Sequence, residues 1–132
     1  MSVHPGSVSH DEIVAFLRLC VDSVESLEVL GLLLDSPDRE WTAKALSIEI
    51  RSSEGSVNKR LHALSACRVI AVPSAPTFRY QAGSPEMARL APEVIAFYRL
   101  RPHRVMEILY NKPESAMQSF ADAFRFNKKE NP

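Results

Sequence analysis

The sequence predicts a mainly α-helical domain carrying one short β-hairpin just past its middle. Three observations lead there. Apolar residues recur at three- and four-residue spacing along most of the chain, the period of helices with one buried face. Ser or Thr stands before several of these stretches, where a side-chain oxygen can accept from the free amides of a first helical turn. Between Val69 and Tyr80 alone, β-branched and aromatic residues replace that period and flank a proline-bearing turn.

The elements follow in order. Residues 1–8 hold Pro5, Gly6 and two serines without periodicity and read as a tail. Ser9 and Glu12 have the spacing of a capping box, and Ile13, Phe16, Leu17 and Cys20 then form one apolar face. Asp22 with Glu25 repeats that pattern and opens a helix over 23–35, apolar on nearly every side from Val24 to Leu34, which suits a covered central position. Asp35 to Asp38 is a turn. Thr42 caps a short helix over 43–50, with Leu46 and Ile50 inward. Ser52 or Ser53 caps another over 54–67, with a narrow stripe of Val57, Leu61 and Leu64. Two short helices joined by a few residues make a helix-turn-helix.

Val69, Ile70 and Val72 are β-formers, Pro73 to Pro76 makes a four-residue turn, and Thr77, Phe78 and Tyr80 return as a second strand. Ser84 caps a long helix with Pro85 at its first position. Its stripe runs from Met87 through Leu90, Val94, Phe97 and Tyr98 to Val105, Ile108 and Leu109, and Pro102 is expected to kink or break it. Pro113 is a second break, a last helix is expected over 114–124, and 127–132 reads as a frayed end. The expected organisation is one domain over 9–126, its motif core at 24–83.

Composition narrows the function classes. The chain has 132 residues, 45% hydrophobic and 24% charged, enough to close one core. The longest apolar run, Val29 to Leu34, is far short of the roughly 20 residues that cross a bilayer. The N-terminus lacks the basic and apolar segments of a secretory signal. With only Cys20 and Cys67, no disulfide scaffold is implied, and a cytoplasmic location is expected. Sixteen basic and sixteen acidic side chains cancel, so any nucleic-acid binding must rest on a local patch. No phosphate loop, His-x-x-x-His or nucleophile elbow appears, and neither an enzyme nor a cofactor is expected.

Residues 24–83 resemble a known family. The leucine-rich helix, WTAKALS at the entry to the first motif helix, SVNKRLHAL in the second and FRYQ in the second strand resemble the winged-helix transcriptional regulators of bacteria, broadly the MarR- and ArsR-like kind. The resemblance implies a winged helix-turn-helix with a two-stranded β-wing and flanking terminal helices, and helix 54–67 lying in a DNA major groove. Where such domains often carry glycine, Arg51 stands near the motif turn and Cys67-Arg68 after the second helix. The wing tip holds no basic residue.

With Val57, Leu61 and Leu64 inward at about 100° per residue, Lys59 and Ala66 point most directly outward. Ser56 and His62 lie beside them and Arg60 on the flank. Ser56, Lys59, Arg60 and His62, with Arg68 at the wing base and Arg79 on its second strand, are the candidate DNA contacts. The alternative is a winged-helix module that binds a protein and no DNA. His103 and Glu107, four apart, are better read as an ion pair than as metal ligands, and no metal site is expected. Cys67 reads as a small buried hydrophobe or as a redox-sensitive thiol, and Cys20 as core. Apolar stripes on the terminal helices exceed what the central core needs, so a homodimer through them is expected. Phe120 and Phe124 share a face and suit either that packing or a protein partner.

Overall fold

The computed structural model describes residues 8–111. Within them, α1 (His10–Cys20), α2 (Val24–Asp35), α3 (Ala43–Ile50) and α4 (Glu54–Ala66) precede a hairpin of β2 (Ile70–Ser74) and β3 (Thr77–Tyr80). A two-residue strand β1 (Trp41–Thr42) lies ahead of α3, and α5 (Pro85–Leu100) follows the hairpin. Residues 102–111 form a further helix, α6.

Local chemistry sets most of these boundaries. Ser9 and Glu12 close the capping box on α1, each side chain accepting from the other's amide at 3.1 and 2.9 Å. Thr42 caps α3, Ser53 caps α4 and Ser84 caps α5, with Pro85 at the first position. α2 differs from expectation. Its cap is Ser23, and Asp22 instead accepts from the Ser26 hydroxyl. Pro102 breaks the long helix outright, because α5 ends at Leu100 and α6 begins at 102. Pro92 lies inside α5, where its missing N–H leaves the carbonyl one turn earlier without the usual donor.

The sheet holds three antiparallel strands in the order β1-β3-β2, not the two expected. Trp41 pairs with Phe78 and Thr42 with Thr77, so the hairpin is tied to the start of α3. The connection is shorter than expected, Ala75 and cis-Pro76, because β2 continues through Pro73 to Ser74 past an irregular register. Trp41 is buried, and the Arg39 guanidinium lies 3.6 Å from its ring centre.

One core gathers every helix. Leu17 of α1, Leu30 and Leu33 of α2, Leu46 of α3, Leu61 and Leu64 of α4, Val94 of α5 and Val105 of α6 are all fully buried. The apolar stripes of α1, α5 and α6 contribute to this core, with Met87, Leu90, Phe97 and Tyr98 of α5 only partly buried. Among the described residues, the exposed large apolar side chains are Leu19, Leu100 and Tyr110 near helix ends, Met106 within α6, and Ile48 and Val72 elsewhere.

Two arginines adopt left-handed backbone, Arg51 (φ 59) ending α3 and Arg68 (φ 63) after α4. Neither is glycine, so each carries the steric cost of a side chain in that conformation. Gly83 lies against Arg68. Its amide donates to the Arg68 carbonyl at 2.7 Å, and a Cβ there would meet the Arg68 Cβ at 2.8 Å. The cysteines are paired, contrary to expectation: a disulfide joins Cys20, at the end of α1, to Cys67, just after α4, with Cα atoms 5.8 Å apart.

Candidate functional site

α4 has three sides, and the candidate residues divide among them. Val57, Leu61 and Leu64 fill the core. Ser56 and Arg60 lie along the flank that faces the start of α2. There Arg60 donates through Nε to Glu25 at 2.9 Å and through a terminal nitrogen to Asp22 at 3.1 Å. The Ser56 and Ser52 hydroxyls also donate to Glu25. Partial burial pushes the Glu25 carboxyl up, but these donors and the guanidinium outweigh it and hold the group below its usual range. Two residues expected at a DNA surface are therefore committed to an internal network.

The third side is accessible. Glu54, Asn58 and His62 stand four residues apart, so they share one face. They border a cleft of about 600 Å³ between α4, the start of α3 and the hairpin. Its apolar floor comes from Ala43, Val72, Ala75, Pro76 and Phe78, and Lys44 stands on the opposite rim. Lys59 is exposed on α4, as expected. Among the described residues, no side chain partners Lys44, Asn58, Lys59 or His62.

Arg68 and Arg79 belong elsewhere. Phe78 is buried and lines the cleft, so strand alternation puts Arg79 on the opposite face of the hairpin. Arg79 donates to the Gln81 side chain at 2.9 Å, and Arg68 borders a separate hollow with Ser65, Ala71 and Gln81. A continuous basic band over Lys59, Arg60, Arg68 and Arg79 does not form. The accessible cationic groups of the cleft side are Lys44 and Lys59, with His62 beside them and Glu54 opposing them.

Asn58 and Lys44 were not among the expected residues. The signal for Asn58 was present in the four-residue spacing with Glu54 and His62. Lys44 needed the tertiary fold, because only the return of the hairpin closes a cleft between the start of α3 and α4. His103 and Glu107 do not pair. Glu107 instead takes Arg104, at 3.1 Å. Phe120 and Phe124 lie outside the described residues.

Comparison with protein-family models, curated proteins and solved structures gives no match. Geometry and chemistry alone carry the functional reading.

Proposed function

We propose that this chain is a winged helix-turn-helix domain that binds duplex DNA, with α3 and α4 as motif helices and β2–β3 as the wing. The observation that supports it is the accessible side of α4. Asn58, Lys59 and His62 carry the side-chain types that meet phosphates and base edges, and none is engaged within the described fold. Lys44 extends the group from α3. Asn is suited to adenine, through paired hydrogen bonds to its major-groove edge, and Lys to guanine or phosphate. The expected footprint is revised accordingly: Lys44, Asn58, Lys59 and His62 make the contacts, while Ser56 and Arg60 support α4 from behind.

Fluorescence anisotropy with a pool of duplexes at about 50 mM salt tests this. Binding is expected, weakened by Lys59→Ala and by Asn58→Ala. Few phosphates are within reach, so the log–log salt slope is expected near −3, at about −0.9 per contact. No binding to any duplex would overturn the proposal.

A second reading, a protein-binding module, is favoured by the apolar floor of the same cleft and by Glu54 on its rim. On that reading Val72→Asp abolishes capture of the partner, and Lys59→Ala leaves it unchanged. A homodimer rests on the exposed Leu100, Met106 and Tyr110. Sedimentation of the chain at twice its 14.8 kDa mass would support it.

A further inference from the structure

The cysteine pair joins two elements that otherwise meet little. α1 packs chiefly on α5. Its polar and ring contacts run the same way: Glu12 pairs with Arg89 of α5 at 3.5 Å, and the His10 ring meets Phe97 of α5 edge-on at 5.8 Å. Among the described residues, the covalent tie from α1 to the end of α4 is the Cys20–Cys67 bond, spanning 47 residues of sequence. It lies at the end of α4, one residue before the left-handed Arg68.

Three features distinguish this bond from a staple on which folding depends. The core beside it holds Leu17, Leu61 and Leu64, each fully buried. Reduced, the two side chains are small hydrophobes that suit their positions. The two ends also differ in burial, since Cys20 is 4% exposed while Cys67 is only half-buried.

We propose that Cys20 and Cys67 form a thiol–disulfide switch that fastens the end of α1 to the end of α4 when oxidised and loosens that junction, with α1 still in the core, when reduced. Reduction begins with the thiolate of a small thiol attacking the Cys67 sulfur. A mixed disulfide forms there, and Cys20 leaves as a thiolate that takes up a proton. A second thiol then attacks the mixed disulfide at the small-molecule sulfur and frees Cys67. The sum is one protein disulfide and two thiols giving two protein thiols and one small-molecule disulfide. In the reverse direction a peroxide takes the two electrons, so two protein thiols and one hydrogen peroxide give the bond and two waters.

The switch goes beyond the DNA-binding reading and depends on it only for one readout. The experiment takes the oxidised full chain, exposes it to millimolar reduced glutathione, and counts free thiols before following amide exchange by mass spectrometry. Two free thiols are expected to appear in the folded protein. Exchange is expected to rise by about tenfold at the end of α1 and in the last turn of α4, with α2 and α3 unchanged. The variant carrying Cys20→Ala and Cys67→Ala should reproduce the reduced pattern and ignore the reductant. DNA affinity of the reduced chain is expected to fall at least about threefold, because the end of α4 is no longer held.

A bond that glutathione leaves intact in the folded chain would overturn the switch. So would reduction that unfolds the whole domain, unchanged exchange, or a double variant that still responds to reductant. Equal affinity of the two states for DNA would overturn it as well. If neither state binds DNA, the DNA-binding reading falls, and the exchange pattern still decides the switch.

Discussion

Arg60 and Glu25 hold the candidate recognition helix in place. The Arg60 Nε lies 2.9 Å from the Glu25 carboxylate, across a separation of 35 residues, and both side chains are largely shielded from solvent. Charge-assisted hydrogen bonds of this kind are stronger than neutral ones and strengthen as water is excluded. The pair fixes which side of α4 is left for a partner.

Acid should weaken this anchor. The Glu25 carboxyl sits below its ordinary value of 4.5 in the folded chain, so its stabilising effect is complete above that value. It is lost as the pH falls through the lower folded value. Glu25→Gln is expected to cost about 1–3 kcal/mol at neutral pH, from charge-assisted hydrogen bonds lost. In urea titrations across the acid range, the gap between wild type and variant should narrow below pH 4.5. A gap independent of pH would show that the carboxylate charge contributes nothing.

Arg60→Ala and Lys59→Ala should separate support from contact. Removing Arg60 leaves Glu25 and Asp22 facing each other without their cation, an expected loss of about 1–3 kcal/mol. Lys59 is exposed and unengaged among the described residues, so its removal should stay within about 0.5 kcal/mol. Thermal unfolding of the two variants measures the difference. Equal losses would contradict the assignment of Arg60 to the internal network.

The left-handed arginines make a paired prediction. Arg51 is exposed at φ 59, a conformation costing a side-chain-bearing residue about 1–2 kcal/mol, while glycine there loses about 0.5–1 kcal/mol of chain entropy. Arg51→Gly is therefore expected to stabilise by up to about 1 kcal/mol. Gly83→Ala should act oppositely, because the new Cβ would meet the Arg68 Cβ at 2.8 Å. Such overpacking costs about 1–3 kcal/mol, and a denaturant midpoint at or above wild type would refute the contact.

α1 should prove integral to the subunit. Phe16 is 2% exposed and Leu17 fully buried in the shared core, so Leu17→Ala is expected to cost about 2–5 kcal/mol. Deleting residues 1–21 should yield aggregated or unfolded chain at any concentration, which light scattering would reveal. A soluble, folded product would show that α1 is dispensable.

Interactions confined to a few residues were legible in the sequence. The caps at Ser9, Thr42 and Ser84, the break at Pro102 and the inward stripe of Val57, Leu61 and Leu64 each depend on a donor and acceptor, a missing amide or a spacing within about one helical turn. The choice of residues there nearly decides the geometry, and the mainly helical fold with its hairpin follows from it.

Only the tertiary structure decided which face of α4 is free. Glu25 was readable as a capping residue of its own helix, yet its carboxylate takes donors 27, 31 and 35 residues away, and so removes Ser56 and Arg60 from the accessible surface. The third strand, the cysteine pair and the burial of α1 and α6 arose in the same way. Each needs distant segments to return to one place. A sequence records which side chains are able to pair, but the packed core selects which of them do, because only there do the segments meet at hydrogen-bonding and van der Waals distance with water excluded.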